Sequence, residues 1–182
     1  MRYYISEHIP AFRRVVLVES GSRYLIEHLL PGLYSSHPAN ERVDLITCFP
    51  GLPAGFDESR GTVFRTTDYQ GRAGRKRLYA HLREMRYDIL GMVCSGEPIM
   101  TKWKWALALN APSKVFILNE NGDYFWLDRG QWKTIRHFVL FRAGLSGAEG
   151  VATLARLALF PLTFTYLLLF AAYVHLRRAI RT

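Results

Sequence analysis

The chain has 182 residues, enough for one domain with a real hydrophobic core but not for two full ones. Its formal net charge of +9 and pI near 9.8 imply an anionic partner: nucleic acid, a phosphorylated substrate or an anionic membrane face. The two cysteines, Cys48 and Cys94, lie in apolar strand-like runs with no His or second Cys at metal spacing, which argues against a zinc site or a disulfide framework and predicts buried, reduced thiols.

The opening, "MRYYISEHIPAFRR", has no apolar core of signal-peptide length before Arg13 and Arg14, so the globular part is expected on the cytoplasmic side. "RVVLVES" (residues 14–20) then reads as a strand, Ser20-Gly21-Ser22 as a tight loop, and "RYLIEHLLPGLYSSHP" as a helix with Leu25, Ile26, Leu29 and Leu33 at helical spacing. Residues 42–49 and 61–69 are a second and third strand, separated by the Pro/Gly-rich loop "PGLPAGFDESR". "GRKRLYAHLREMR" is a helix with Leu78, Leu82 and Met85 on one face and arginines on the other. Residues 87–96 are a fourth strand, "PIMTKWKWALALN" a helix and "KVFILNE" a fifth strand. Such alternation predicts an α/β fold with a Rossmann-like doubly wound, mostly parallel sheet over residues 1–130.

"NENGDYFWLD" (residues 119–128) admits two readings. Its acids beside aromatics suit a sugar-binding or acid/base site, with Asn119 and Glu120 at the end of the fifth strand. Matched β-rich runs around Asn121-Gly122 predict instead a type I′ hairpin, with Asp123 in the turn and Tyr124, Phe125 and Trp126 alternating across the returning strand. The hairpin is the stronger pattern, and it would hinge the domain to the C-terminal membrane segment.

In a doubly wound sheet ligands bind at the carboxyl ends of the strands where the strand order reverses. If the order is 3-2-1-4-5, the relevant loops are Glu19-Ser20-Gly21-Ser22-Arg23 and Cys94-Ser95-Gly96-Glu97. Their backbone N–H groups could hold a phosphate or carboxylate; equally, Ser22 is an N-cap and Gly21 a turn residue. Neither loop carries the dinucleotide fingerprint or a Walker A lysine, no G-x-S-x-G elbow is present, and no cofactor is expected. The histidines (His8, His28, His37, His81, His137, His175) show no HxxxH or HxH spacing, so no metal site is expected. Cys94, before a helix start, is either a lowered-pKa thiol or a core residue.

Residues 14–118 resemble the N-terminal half of a GT-B glycosyltransferase, most similar to the heptosyltransferase-like family. The cues are the Leu30-Pro31-Gly32-Leu33 turn in the first helix, His37-Pro38 before the second strand, Tyr87-Asp88 opening the fourth, and an Ala/Leu-rich helix leading to Lys114. The resemblance implies a membrane-anchored, glycosyltransferase-like protein of cell-envelope glycan or lipid-linked sugar metabolism. In it Glu19 stands in for the family's general base, and Ser20, Gly21, Ser22, Arg23, Ser95, Gly96 and Glu97 line the acceptor crevice. A GT-B enzyme also needs a second, donor-binding domain, which residues after 130 are too few to form; a partner glycosyltransferase chain would supply it, and a homo-oligomer is the other assembly considered. The alternative is a non-catalytic membrane anchor or scaffold subunit that retains half of the fold.

Arg72, Arg75, Lys76, Arg77, Arg83 and Arg86, with Lys102 and Lys104 on the next helix, form a basic cluster. Exposed aromatics that would stack single strands are not expected to interleave with it, so nucleic acid is not expected; anionic lipids come first, a lipid-linked or phosphorylated sugar second, and a solvated face is the plain alternative. "QWKTIRHFVLFRAGL" repeats Trp132, Ile135, Phe138, Val139 and Leu145 near helical period with Lys133, Arg136 and Arg142 between them. It reads as an interfacial helix (residues 131–149) or as an amphipathic helix packed on the sheet. "LALFPLTFTYLLLFAAYV" then predicts one membrane helix within residues 150–182, flanked by Arg156 and by His175, Arg177, Arg178 and Arg181. A buried core helix or a re-entrant hairpin are the alternatives.

Overall fold

The computed structural model describes residues 8–143 and 147–181, and the chain divides into two units, Met1–Trp132 and Lys133–Thr182. The β-branched and leucine runs of the first unit become the strands of a mixed sheet: β1 (Arg14–Glu19), β2 (Arg42–Thr47), β3 (Val63–Arg65), β4 (Ile89–Cys94), β5 (Lys114–Asn119) and β6 (Tyr124–Trp126). Their order is β3-β2-β1-β4-β5-β6, with every pair from β3 to β5 parallel and β6 antiparallel to β5. The order considered from the sequence alone, 3-2-1-4-5, is the one found. β1 is central, which explains why Val15–Val18 are fully buried and why β4 reads as an unbroken apolar run.

Strand alternation assigns the helices to faces. Val15 and Leu17, with Val43, Leu45, Phe116 and Leu118, share a core with Leu25, Ile26, Leu30 and Leu33 of α1 (Arg23–Ser36). Each such side chain stabilises the fold by roughly 1.5–3 kcal/mol relative to exposure. The opposite face holds Ile46 and its neighbour Phe64, whose ring lies 5.0 Å from His81 of α2 (Gly71–Met85). Tyr79 of α2 meets Trp103 of α3 (Thr101–Asn110) at 6.4 Å, so α2 and α3 cover the side that α1 leaves bare.

Several expectations need correction. The predicted turn at Leu30-Pro31-Gly32-Leu33 does not form: α1 runs through Pro31, which with Gly32 lies on the exposed side, so the lost hydrogen bond falls where water can replace it. The third strand shrinks to three residues and continues as a 3₁₀ turn, Thr66–Tyr69. α2 starts earlier than its apolar spacing implied, and its interior Gly74 is needed because a Cβ there would stand 2.5 Å from the Tyr69 carbonyl carbon. Cys48 is exposed, one residue past the end of β2; Cys94 is buried as expected. Lys104, expected in the surface basic cluster, is 5% exposed beneath the loop after β1.

The hairpin forms, but not with a type I′ turn. Only Gly122 has positive φ (83°), its N–H donates to the Asn119 carbonyl, and Asn119 N–H donates to the Asp123 carbonyl. This is the three-residue loop with glycine in the left-handed position. The Asn119 side-chain oxygen accepts the N–H groups of Asn121 and Asp123, which holds the loop without a left-handed Asn121. β6 ends where the Trp126 N–H donates to the Gln131 side chain at 3.2 Å.

In the second unit α4 (Trp132–Arg142) buries none of its residues. Leu145, expected within that helix, lies outside the described residues. α5 (Gly147–Arg181) contains a 27-residue stretch, Ala152–Arg178, whose most apolar 18-residue window has mean hydropathy 2.0 and is nowhere buried, so it is long and apolar enough to cross a membrane. Pro161 lies inside this helix without ending it. The hydroxyls of Thr163 and Thr165 donate to carbonyls one turn back, which pairs both hydroxyl hydrogens within the helix.

Candidate functional site

β1 and β4 are neighbours, so their following loops meet at the carboxyl edge of the sheet, as the strand order required. The Ser20 hydroxyl donates to the Val93 carbonyl at 2.7 Å, and the Ser22 N–H donates to Ser95 Oγ at 3.3 Å. Ser95 Oγ in turn donates to a Glu97 carboxylate oxygen at 3.0 Å. Gly21 fits only because it lacks a side chain: a Cβ would stand 2.2 Å from Ser95 Oγ and 2.7 Å from a Val93 methyl. Gly96, at φ 83°, lies in the turn between Ser95 and Glu97, whose side chains meet.

The candidate residues therefore divide. Ser20 and Gly21 are buried and join the two loops, whereas Ser22, Gly96 and Glu97 are exposed and Ser95 half-buried. Ser22 precedes α1 but its side chain makes no capping hydrogen bond. The Lys104 ammonium lies under the junction, donating to the Ser20 carbonyl at 3.4 Å.

Glu19 ends β1 on the α1 face, in register with Thr47 of β2. Its side chain is 0% exposed; Thr47 Oγ1 donates to it at 2.5 Å and Arg23 Nε at 2.6 Å. Thr47 Oγ1 also accepts the Phe49 N–H, and the Arg23 guanidinium lies 5.6 Å from the Phe49 ring centre. The hydrogen bond to Glu19 raises the Arg23 pKa above its ordinary value, which keeps the guanidinium charged at every accessible pH. Both Glu19 oxygens are thus engaged by the protein itself.

An open groove of about 770 Å³ lies elsewhere on the same face, between α1 and the β5–β6 hairpin. α1 covers β1 and β2, and beyond it the residues of β5 and β6 that face the same way form the floor: Phe116, Leu118 and Trp126. Tyr24 and Tyr124, 58% and 63% exposed, flank the opening, with His28, Glu120 and Asn121 at its polar margin. Of Asn119 and Glu120, the two strand-end residues of "NENGDYFWLD", Glu120 lines the groove and Asn119 does not; Asn121, Gly122, Tyr124 and Trp126 of the same stretch line it too. The groove's α1 wall was missed from sequence, although Tyr24, His28, Gly32 and Ser36 recur every four residues and so mark one helix face.

Arg72, Arg75, Lys76 and Arg77 are exposed on α2, and Trp132, Lys133 and Arg136 are exposed on α4. No cluster of His, Cys, Asp or Glu that could hold a metal occurs among the described residues. In comparisons with protein-family models, curated proteins and solved structures, the chain matches none of them.

Proposed function

We propose that this protein is a membrane-attached, non-catalytic subunit of cell-envelope glycan or lipid-linked sugar metabolism, built on a Rossmann-like doubly wound domain that retains the acceptor half of a GT-B fold. The observation that carries the non-catalytic reading is the state of Glu19. A general base must come within hydrogen-bond reach of the proton it takes; Glu19 is fully buried and held by Arg23 and Thr47. The subunit's task is then to bind a lipid-linked or phosphorylated sugar for a partner chain that supplies the donor domain. The groove supports this, because the faces of Tyr24 and Tyr124 beside Asn121 and His28 combine apolar contact with hydrogen bonding, the mixture that sugar rings require.

A second reading, a transferase completed by a partner, is favoured by one observation: an acid, Glu120, and an imidazole, His28, line the same groove. One experiment separates the two. The full chain in lipid nanodiscs is titrated with sugar phosphates and assayed with nucleotide sugars, alone and with proteins that co-purify from solubilised membranes. The expected result is sugar binding that weakens about five-fold in Tyr24→Ala or Tyr124→Ala, with no transfer by the chain alone. Transfer by the purified chain that disappears in Glu19→Ala overturns the non-catalytic reading, and transfer that disappears in Glu120→Gln establishes the second.

A further inference from the structure

The charge of the Met1–Trp132 unit is concentrated on one helix. Residues 71–86 carry Arg72, Arg75, Lys76, Arg77, Arg83 and Arg86 against a single acid, Glu84, whereas the rest of the unit has 11 Lys and Arg against 13 Asp and Glu. All six cations are exposed, and none has a carboxylate partner among the described residues. Arg75 and Arg77 donate to the backbone carbonyls of Gly71 and Asp68, and Arg83 to Asn110 Oδ1. Leu78 and Leu82 fix this helix to the sheet, so its cationic side is a rigid face.

We propose that α2 is an electrostatic docking face for an anionic lipid bilayer, and that docking it turns the α1–hairpin groove toward water. This rests on the reading that α5 anchors the chain in a membrane. The partner follows from charge complementarity: guanidinium groups pair with lipid phosphates in a two-pronged geometry, and a bilayer offers a plane of them to a straight helix. Anchoring supplies a high local concentration, so individually weak contacts add. The orientation follows from the sheet. α2 packs on the face that holds Phe64, and α1 and the groove lie on the other, so a domain resting on α2 presents Tyr24 and Tyr124 away from the lipid. The groove's ligand is then a sugar headgroup that reaches it from the aqueous side.

The test uses the full chain in nanodiscs of phosphatidylcholine with or without phosphatidylglycerol, in a Cys48→Ser background. A fluorophore is placed at Ala73→Cys on α2 or at Ser36→Cys beside the groove, and quenching by headgroup-nitroxide lipid is measured. In phosphatidylglycerol discs the Ala73 label is quenched several-fold more than in phosphatidylcholine, and the Ser36 label is unchanged. High salt abolishes the difference, and Arg72→Gln or Lys76→Gln each lowers the docked-to-undocked ratio about five-fold. Equal quenching at both sites, quenching indifferent to lipid charge, or protection of α2 by duplex DNA instead of lipid overturns the proposal. Resistance to alkaline carbonate extraction is measured in parallel. A chain that washes out overturns the anchoring reading, and its flotation with phosphatidylglycerol vesicles then decides for α2 independently.

Discussion

Glu19, Asp44 and Asp128 each sit against a cation, Arg23, Arg42 and Lys114 respectively, and each pair holds a strand end in place. Removing the cation strands a buried carboxylate, so Arg23→Met should cost about 1–3 kcal/mol in a denaturant titration, and Glu19→Gln, which removes the charge itself, should cost less. Asp44 also accepts hydrogen bonds from the Tyr87 hydroxyl and the Thr62 N–H. Burial, then the contact with Asp44, pushes the Tyr87 pKa far above its ordinary value of 10.0. The folded protein therefore holds that proton more tightly than the unfolded chain. Stability is intact below about pH 10 and falls as pH rises above it, because only the unfolded chain ionises there. Tyr87→Phe should flatten this alkaline loss in thermal melts taken as a function of pH, while lowering stability at neutral pH. Glu19 was legible in the sequence as an acid at a strand end. Its burial was not, because Thr47 lies 28 positions away and comes alongside only through the parallel register.

At the scale of elements, two helix-interior glycines should respond oppositely to alanine. A Cβ added at Gly32 would meet nothing within 4 Å, so Gly32→Ala should stabilise by roughly 0.5–1 kcal/mol through helix propensity, with the groove only slightly narrowed. Gly74 is packed against the Tyr69 backbone, and Gly74→Ala should destabilise by about 1–3 kcal/mol. Equilibrium unfolding of both variants checks the pair. The alternation of β-branched and helical runs made the strands readable, because a parallel sheet requires crossovers and the crossovers had helical period, whereas their spatial order entered only as a supposition. Turn details were less readable: Asn121-Gly122 fits two hairpin loops, and the choice fell to the Asn119 side chain. The groove was readable only in pieces, since its walls come from α1 and β6, roughly 100 residues apart by the spacing of Tyr24 and Tyr124.

For the whole molecule, the leucines and aromatics of Ala152–Arg178 are exposed, and the stretch is long and apolar enough to cross a membrane. Leu168→Arg, near the middle of that stretch, should disfavour insertion by about 3 kcal/mol, read as a shift from membrane pellet to soluble or aggregated fractions. The long apolar stretch was the plainest feature of the sequence, because an uncharged run needs no tertiary context to be recognised. The polarity of the α/β unit was harder to see, since a net charge of +9 says nothing of where the charges collect. The two outermost strands, β3 and β6, are three residues each, and β6 stops where Gln131 takes its terminal N–H. Tethering crowds copies of a protein into two dimensions, where open sheet edges would invite strand exchange and fibre growth. Borders this short give a neighbouring copy almost nothing to pair with, so on the proposal that α5 anchors the chain the fold tolerates that crowding.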